Sequence, residues 1–171
     1  MMTFTTLLEE TLEAWVDARQ GIIEEAENIP DRRFDFRPTP EVKSVTELIQ
    51  HIIEVAELMT GELTRPDTNF HRAPWPELIG QYAAHVKEAR GKAELLALLK
   101  SSLDEGVARF REAGELAMLQ LITRFDGTQG TRLAWLNHGI AQEMYHRGQL
   151  ALYERLMGIE PALTRRIRGA D

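Results

Sequence analysis

The sequence predicts an all-α four-helix bundle, and three observations carry that reading. Four long segments repeat apolar residues at helical spacing. No segment alternates apolar and polar residues as a half-buried strand would. The breaks between segments carry proline, glycine or capping residues, which stop and start helices. At 171 residues the chain fits a single domain over 1–171, long enough to bury a core. The connections between the second and third and between the third and fourth long helices are extended. Simple up-down-up-down order is therefore not required, and crossovers have room.

The first helix covers residues 4–28, with Leu7, Leu8, Leu12, Trp15, Val16, Ile22 and Ile23 set among acids. Pro30 ends it, because proline cannot continue a helix. The stretch 34–40 (Phe-Asp-Phe-Arg-Pro-Thr-Pro) is extended, since residues before proline avoid helical angles. Ser44-Val45-Thr46-Glu47 is a capping box, in which serine and glutamate satisfy each other's backbone N–H groups. It opens a second helix to about Leu63 through Val45, Leu48, Ile49, Ile52, Ala56 and Met59. A proline-punctuated connection over 65–76 holds Trp75, and a short helix follows Pro76. The third long helix runs from Lys92 to about Ala113 on Leu95, Leu96, Leu99, Leu103, Val107 and Phe110. Between 114 and 130, Leu116 to Phe125 fits a short strand-like piece or a helical turn. Asp126-Gly127 and Gln129-Gly130 read as turns. The last long helix spans about Thr131 to Met157, with Gly158 as its C-terminal cap.

Composition narrows the function. Net charge is −7, and the only short basic run, Arg165-Arg166-Ile167-Arg168, reads as a solvated C-terminus. Nucleic acid is therefore not an expected partner, since phosphates need concentrated positive charge. The absence of cysteine excludes disulfides, zinc-thiolate sites and cysteine nucleophiles. Any thiol chemistry must use a thiol brought in by a cofactor. The N-terminal residues lack a basic region and turn acidic before an apolar run develops, so no signal peptide is expected. No stretch is apolar for long enough to span a membrane, and a cytoplasmic location is the expectation.

On a wheel of about 100° per residue, Trp135, Gly139, Gln142, His146, Leu150, Tyr153 and Met157 share one stripe of the last helix. Gln142 and His146 then point inward one turn apart, with Gln149 at the edge. An i, i+4 pair can reach one metal ion. Gly139 would let another helix approach closely. His51 borders the apolar stripe of the second helix, where a bundle can bring it opposite His146. Two imidazoles and one further ligand make an open catalytic metal site. A lone inward histidine is more commonly a hydrogen-bonded core residue, and spacing alone leaves both roles open.

Neighbouring candidates are weaker. His138 is eight residues from His146, about 12 Å along the axis, too far to share an ion. Glu143 has the Glu-x-x-His spacing of carboxylate-bridged di-iron bundles, but no second such pair occurs on another helix. It is expected to be a surface acid or a partner for a histidine N–H, the surface role being preferred. His85 reads as a surface histidine, and His71 as part of the long connection. Trp75, Trp135 and Tyr153 read as core. No glycine-rich phosphate loop or serine triad motif is present.

Phe34-Asp35-Phe36-Arg37-Pro38-Thr39-Pro40 followed by Ser44-Val45-Thr46-Glu47-Leu48-Ile49-Gln50-His51-Ile52 resembles the first signature of the DinB-like family. Glu143-Met144-Tyr145-His146-Arg147-Gly148-Gln149-Leu150 resembles the second. Order, spacing and length fit over essentially the whole chain. The resemblance implies a four-helix bundle in up-down-down-up order, often dimeric. It also implies three histidines in a central pocket holding a divalent metal, commonly zinc or nickel. Some relatives are thiol S-transferases or isomerases that use mycothiol, bacillithiol or glutathione. Carried onto this sequence, the ligand positions are His51, Gln142 and His146, with glutamine where the family has its second histidine. A neutral amide oxygen binds zinc or nickel less well than imidazole nitrogen.

The implied function is a metal-dependent enzyme, in form a thiol-dependent S-transferase, with a variant metal site. Its cofactors would be zinc or nickel and a low-molecular-weight thiol, and its partners a small-molecule ligand and a second copy in a homodimer. An exposed apolar stripe on the first or second helix would favour that dimer. The competing expectation is a non-catalytic bundle that binds a small molecule or dimerises without metal, its Gln142 hydrogen-bonded to the histidines.

Overall fold

The computed structural model describes residues 6–169. Helix α1 (Leu7–Asn28) begins where the Thr6 hydroxyl accepts the Glu9 N–H, and ends as Ile29 turns extended ahead of Pro30. Residues 4 and 5, assigned to this helix from sequence, lie outside the described residues. Within the loop read as extended, Phe34 and Asp35 form a turn. The Phe34 ring is buried, and its carbonyl accepts both the N–H and the hydroxyl of Thr46 at 2.9 and 3.1 Å. Those core bonds override the local preference set by the prolines. The Ser44–Glu47 capping box forms in full and opens α2 (Val45–Leu63). Next come the short α3 (Trp75–Tyr82), a 3₁₀ turn at Ala84–Glu88, and α4 (Lys92–Ala113). Helix α5 (Glu115–Met118) is a single turn, and α6 (Arg132–Leu156) starts from a Thr131 cap.

Side-chain partners fix the direction of each long helix. Arg19 meets Glu143 and Asn28 meets Glu154, so α1 and α6 run parallel. His51 meets Gln142 while Leu63 meets Arg132, so α2 and α6 are antiparallel. Glu9 meets Arg111 and Arg19 meets Leu99, so α1 and α4 are antiparallel. The order is up-down-down-up, with α1 and α2 each packed on α4 and α6. The parallel pair α2 and α4 requires the chain to travel back along the bundle, which explains the long connection holding α3.

Helices α1 and α4 approach closely at Gly106. A Cβ there would come within 2.4 Å of the Trp15 ring, so the contact requires glycine. Gly139, which the sequence suggested for that role, would carry a Cβ in ordinary contact, 3.4 Å from Met59.

Two further parts refine the sequence reading. The stretch Leu116 to Phe125, left between a strand-like piece and a helical turn, holds both: it carries most of α5 and then β1 (Leu121–Thr123), which pairs with β2 (Gln129–Thr131) in a small antiparallel hairpin. Asp126-Gly127 makes its turn, with Gly127 at φ 79°, whereas Gln129-Gly130 is paired in β2. Strands of three residues are too short to display a two-residue period. The basic tail, read as a solvated end, is exposed at Arg166, Ile167 and Arg168 but forms most of a short helix, α7 (Ala162–Ile167), packed on α1. Its first N–H groups, from Ala162 and Leu163, donate to the buried Glu25 carboxylate at 2.6 and 3.3 Å. Arg166 pairs with Glu24 at 3.0 Å, and Arg168 pairs with Glu160. Among the described residues no helix is long and apolar enough to cross a membrane.

Candidate functional site

The antiparallel contact of α2 and α6 brings together the three residues singled out from sequence. Gln142 Nε2 lies 3.1 Å from His51 Nε2 and 3.5 Å from His146 Nε2. The two imidazoles stand edge to face with centroids 5.0 Å apart. His146 Nδ1 donates to Gln149 Oε1 at 2.7 Å. An amide oxygen only accepts, so this bond puts the His146 proton on Nδ1 and leaves the Nε2 lone pair facing Gln142. Gln149, read as an edge residue, thus sets the tautomer of His146.

The cluster is electrically neutral at physiological pH. Burial, then repulsion from His146 and Lys43, pushes His51 down from 6.5 to about 4. Burial, reinforced by Lys43, also holds His146 below its ordinary value, against the opposing pull of the Gln149 hydrogen bond and the Glu143 charge. Neutral imidazoles are the form that ligates metals.

The donor set can be tested against a metal ion directly. Among the described residues no three His, Cys, Asp or Glu side chains gather closely enough to hold one. With Gln142 included, two imidazole nitrogens and an amide converge. As oriented, the amide N–H₂ donates to both histidines and the cluster satisfies itself. Turned about its last bond, the same side chain puts its oxygen there instead. With the His51 proton on Nδ1 as well, three lone pairs would then face one point, an arrangement that a cation relieves. The residues fit a three-donor N₂O site.

A surface cavity of about 460 Å³ reaches His51, with Gln50 and Glu54 on its α2 wall and Lys43, Lys87 and Arg90 around it. Glu54, 8 % exposed, has its carboxyl raised by burial, against the opposing pull of Lys87 and Lys43. Sequence reading missed it, although it follows His51 by three residues on the same helix.

Glu143 overturns its expected role as a surface acid. It is 4 % exposed and faces α1, where it accepts Arg19 Nε and Nη2 at 2.8 and 2.5 Å and Trp15 Nε1 at 2.7 Å. Its neighbour Gln142 faces α2, because adjacent helical residues diverge by about 100°. His138 is exposed against Trp135, away from the cluster. His85 is exposed and lies 3.4 Å from Glu57, while exposed His71 contacts the Phe125 carbonyl at 2.9 Å. Trp75 and Trp135 join Phe70 and Phe125 in an aromatic group packed beside the hairpin. Tyr153 is buried and its hydroxyl donates to the Lys43 carbonyl at 3.0 Å.

Fold and site together define a class: an up-down-down-up four-helix bundle with two histidines and an amide converging between its second and fourth long helices. The chain belongs to the DinB family, whose model matches residues 1–169. Among solved structures it is similar to YfiT from Bacillus subtilis, described as a probable metal-dependent hydrolase with an unusual four-helix bundle topology. The TM-score is 0.69 at 13% identity, over 94% of this chain and 95% of that one. A DinB-like protein of Bacillus subtilis, YjoA, gives a TM-score of 0.65 at 22% identity, over 87% and 92%. A mycothiol-dependent maleylpyruvate isomerase gives 0.65 at 19% identity, over 88% of this chain and 63% of that chain. No curated protein matches the chain.

Proposed function

We propose that this protein is a metal-dependent enzyme acting on a small molecule, with His51, His146 and the Gln142 side-chain oxygen as its metal ligands. The observation that carries the reading is the convergence of both Nε2 atoms on the Gln142 amide, with the His146 proton held on the far nitrogen by Gln149. A ligating histidine is held in just this way by an acceptor on its other nitrogen. A bound zinc or nickel ion would act as a Lewis acid and lower the pKa of a coordinated water or thiol.

The chain's own residues supply the rest. Burial keeps both imidazoles unprotonated, and the cavity beside His51 admits a small substrate from solvent. Glu54 stands in that cavity as a carboxyl able to move a proton. With no cysteine in the chain, a thiol nucleophile would be a low-molecular-weight cofactor. The mycothiol-dependent isomerase among the neighbours supports a thiol cofactor, with S-transfer as the reaction we propose for it, and the YfiT description supports water as the alternative nucleophile.

A homodimer is part of the proposal. The first and second helices offer little for it: α2 has no exposed residue, and α1 exposes only Leu7 and Val16 among its large apolar side chains. The more continuous apolar stripe is on α6, at Tyr145, Leu152 and Leu156.

One observation favours a second reading. The Gln142 amide already bridges the two histidines at hydrogen-bonding distance, so the cluster can be a self-satisfied polar element of a non-catalytic small-molecule-binding bundle. Elemental analysis of untagged protein separates the two. Near-stoichiometric zinc or nickel in the parent, lost in His146→Ala, is the expected result. Metal found only in a Gln142→His variant would establish the second reading.

A further inference from the structure

The cavity that reaches His51 is ringed by three cations that no carboxylate among the described residues holds in an ion pair. Lys43 precedes α2, Lys87 lies in the 3₁₀ turn and Arg90 shortly precedes α4, yet all three line one opening. Among the described residues none of the three side chains makes an ion pair or a side-chain hydrogen bond. Such a gathering runs against the background of a chain that carries a net charge of −7.

The acids at the same opening do not neutralise it. Glu47 is committed to Arg37 at 3.1 Å and to the Ser44 N–H at 2.8 Å. Glu41 is exposed at the rim and bonded to Thr39. Glu54 lies buried at the α2 wall, where burial favours its neutral form more than Lys87 and Lys43 oppose it. Three uncommitted cations therefore face one exposed acid and one buried carboxyl.

The rim is also built rather than incidental. Gln50, 7 % exposed on α2, donates to the Ala89 carbonyl at 2.7 Å and reaches the Val86 and Lys87 carbonyls at 3.5 Å. One buried amide thus pins the whole 86–89 segment over α2 and sets where Lys87 and Arg90 project. On the other side, the Tyr153 hydroxyl holds the Lys43 carbonyl and ties that residue to α6. Lysine ammonium groups and an arginine fork are the side chains that recognise small oxyanions.

We propose that Lys43, Lys87 and Arg90 form an oxyanion-recognition rim that docks the carboxylate or phosphate of a small acid, so that its remaining atoms extend to His51. The placement at His51 rests on the reading of the histidine cluster as the reacting centre; the binding of the anion does not. A volume of about 460 Å³ admits an acid of several carbons.

The test uses untagged, chelator-treated protein at low salt, where charge recognition is least screened. Succinate and inorganic phosphate are titrated separately while the His51 ring signals and the Lys43, Lys87 and Arg90 side-chain signals are followed by NMR. Saturable shifts of the rim and of His51 with at least one probe are expected, weakened tenfold or more in Lys87→Gln/Arg90→Gln. The probe that binds more tightly distinguishes a carboxylate from a phosphate substrate. Lys100→Gln, which removes an exposed lysine outside the cavity, should bind as the parent does. If neither probe saturates, or if the double variant binds as tightly as the parent, the rim is overturned. Anion binding that persists in a Gln142→His protein, alongside a parent that takes up no metal, would overturn the metal centre and leave the rim standing.

Discussion

Two adjacent residues of α6 open onto two different buried polar regions. Glu143 faces α1 and enters a cluster that is ionic, bidentate and closed. Arg19 gives its Nε and Nη2 to Glu143 and its Nη1 to the Leu99 carbonyl and the Ser102 hydroxyl at 2.8 and 3.0 Å. Trp15 fills in beside it. Gln142 faces α2 and enters a cluster that is neutral, held by longer bonds, and beside a cavity. In the first, the Glu143 carboxylate is held by three donors from Arg19 and Trp15 and faces a buried guanidinium rather than a cavity of substrate size. The second keeps two imidazole lone pairs behind a single rotatable amide. A buried polar group whose partners are all fixed in place serves packing. One whose partner can turn away is available for chemistry.

The largest effect that would break this comparison is in stability. Glu143→Ala leaves the Arg19 guanidinium buried without its counter-ion and is expected to cost about 3–5 kcal/mol, read as a lower denaturation midpoint at pH 7. Replacing both partners, as Arg19→Met/Glu143→Leu, should recover most of that loss, because the lone charge rather than the lost bond is what costs. A single variant as stable as the parent would show that the α1 cluster is no anchor.

Smaller changes belong to the α2 side. Gln149→Leu frees the His146 Nδ1 proton from its acceptor and should weaken zinc or nickel binding about 10- to 100-fold, with little change in unfolding; competition against a chelating dye measures it. Gln142→Leu removes a neutral donor and should cost only about 1 kcal/mol, well under the Glu143 variant, in the same denaturation assay. Equal costs at 142 and 143 would erase the distinction between the two clusters.

A pH dependence sharpens the α2 side further. His51 titrates near 6.5 when unfolded and at about 4 when folded, so the unfolded chain binds the proton first. Its contribution to stability is present above about pH 6.5 and is lost as pH falls toward 4. His51→Gln should flatten that part of the stability profile. A profile unchanged by the substitution would mean that His51 is not held neutral by its surroundings.

Much of this was legible along the chain because it is local. Helical period fixes which residues share a face, so Gln142 and His146 could be set inward, and a capping box is complete within four residues. The family signatures around His51 and His146 added the order of the four helices, which periodicity could not supply. The hairpin stayed undecided against a helical turn because three-residue strands carry no period, and α7 was missed because its docking depends on Glu25, 137 residues before Ala162. Glu143 was misread for a related reason: a lone glutamate beside an apolar stripe reveals its partner only when α1 is laid against it.

By itself, then, the sequence determined the helices, their inward faces, the three converging candidates His51, Gln142 and His146, and the exclusion of any cysteine chemistry. Only the tertiary structure decided that Gln142 bridges the two histidines while Glu143 holds Arg19. It alone gathered Lys43, Lys87 and Arg90 at one opening. The reason is physical: the direction in which a helical side chain points is set by its own backbone, but what it meets there is set by how the helices pack.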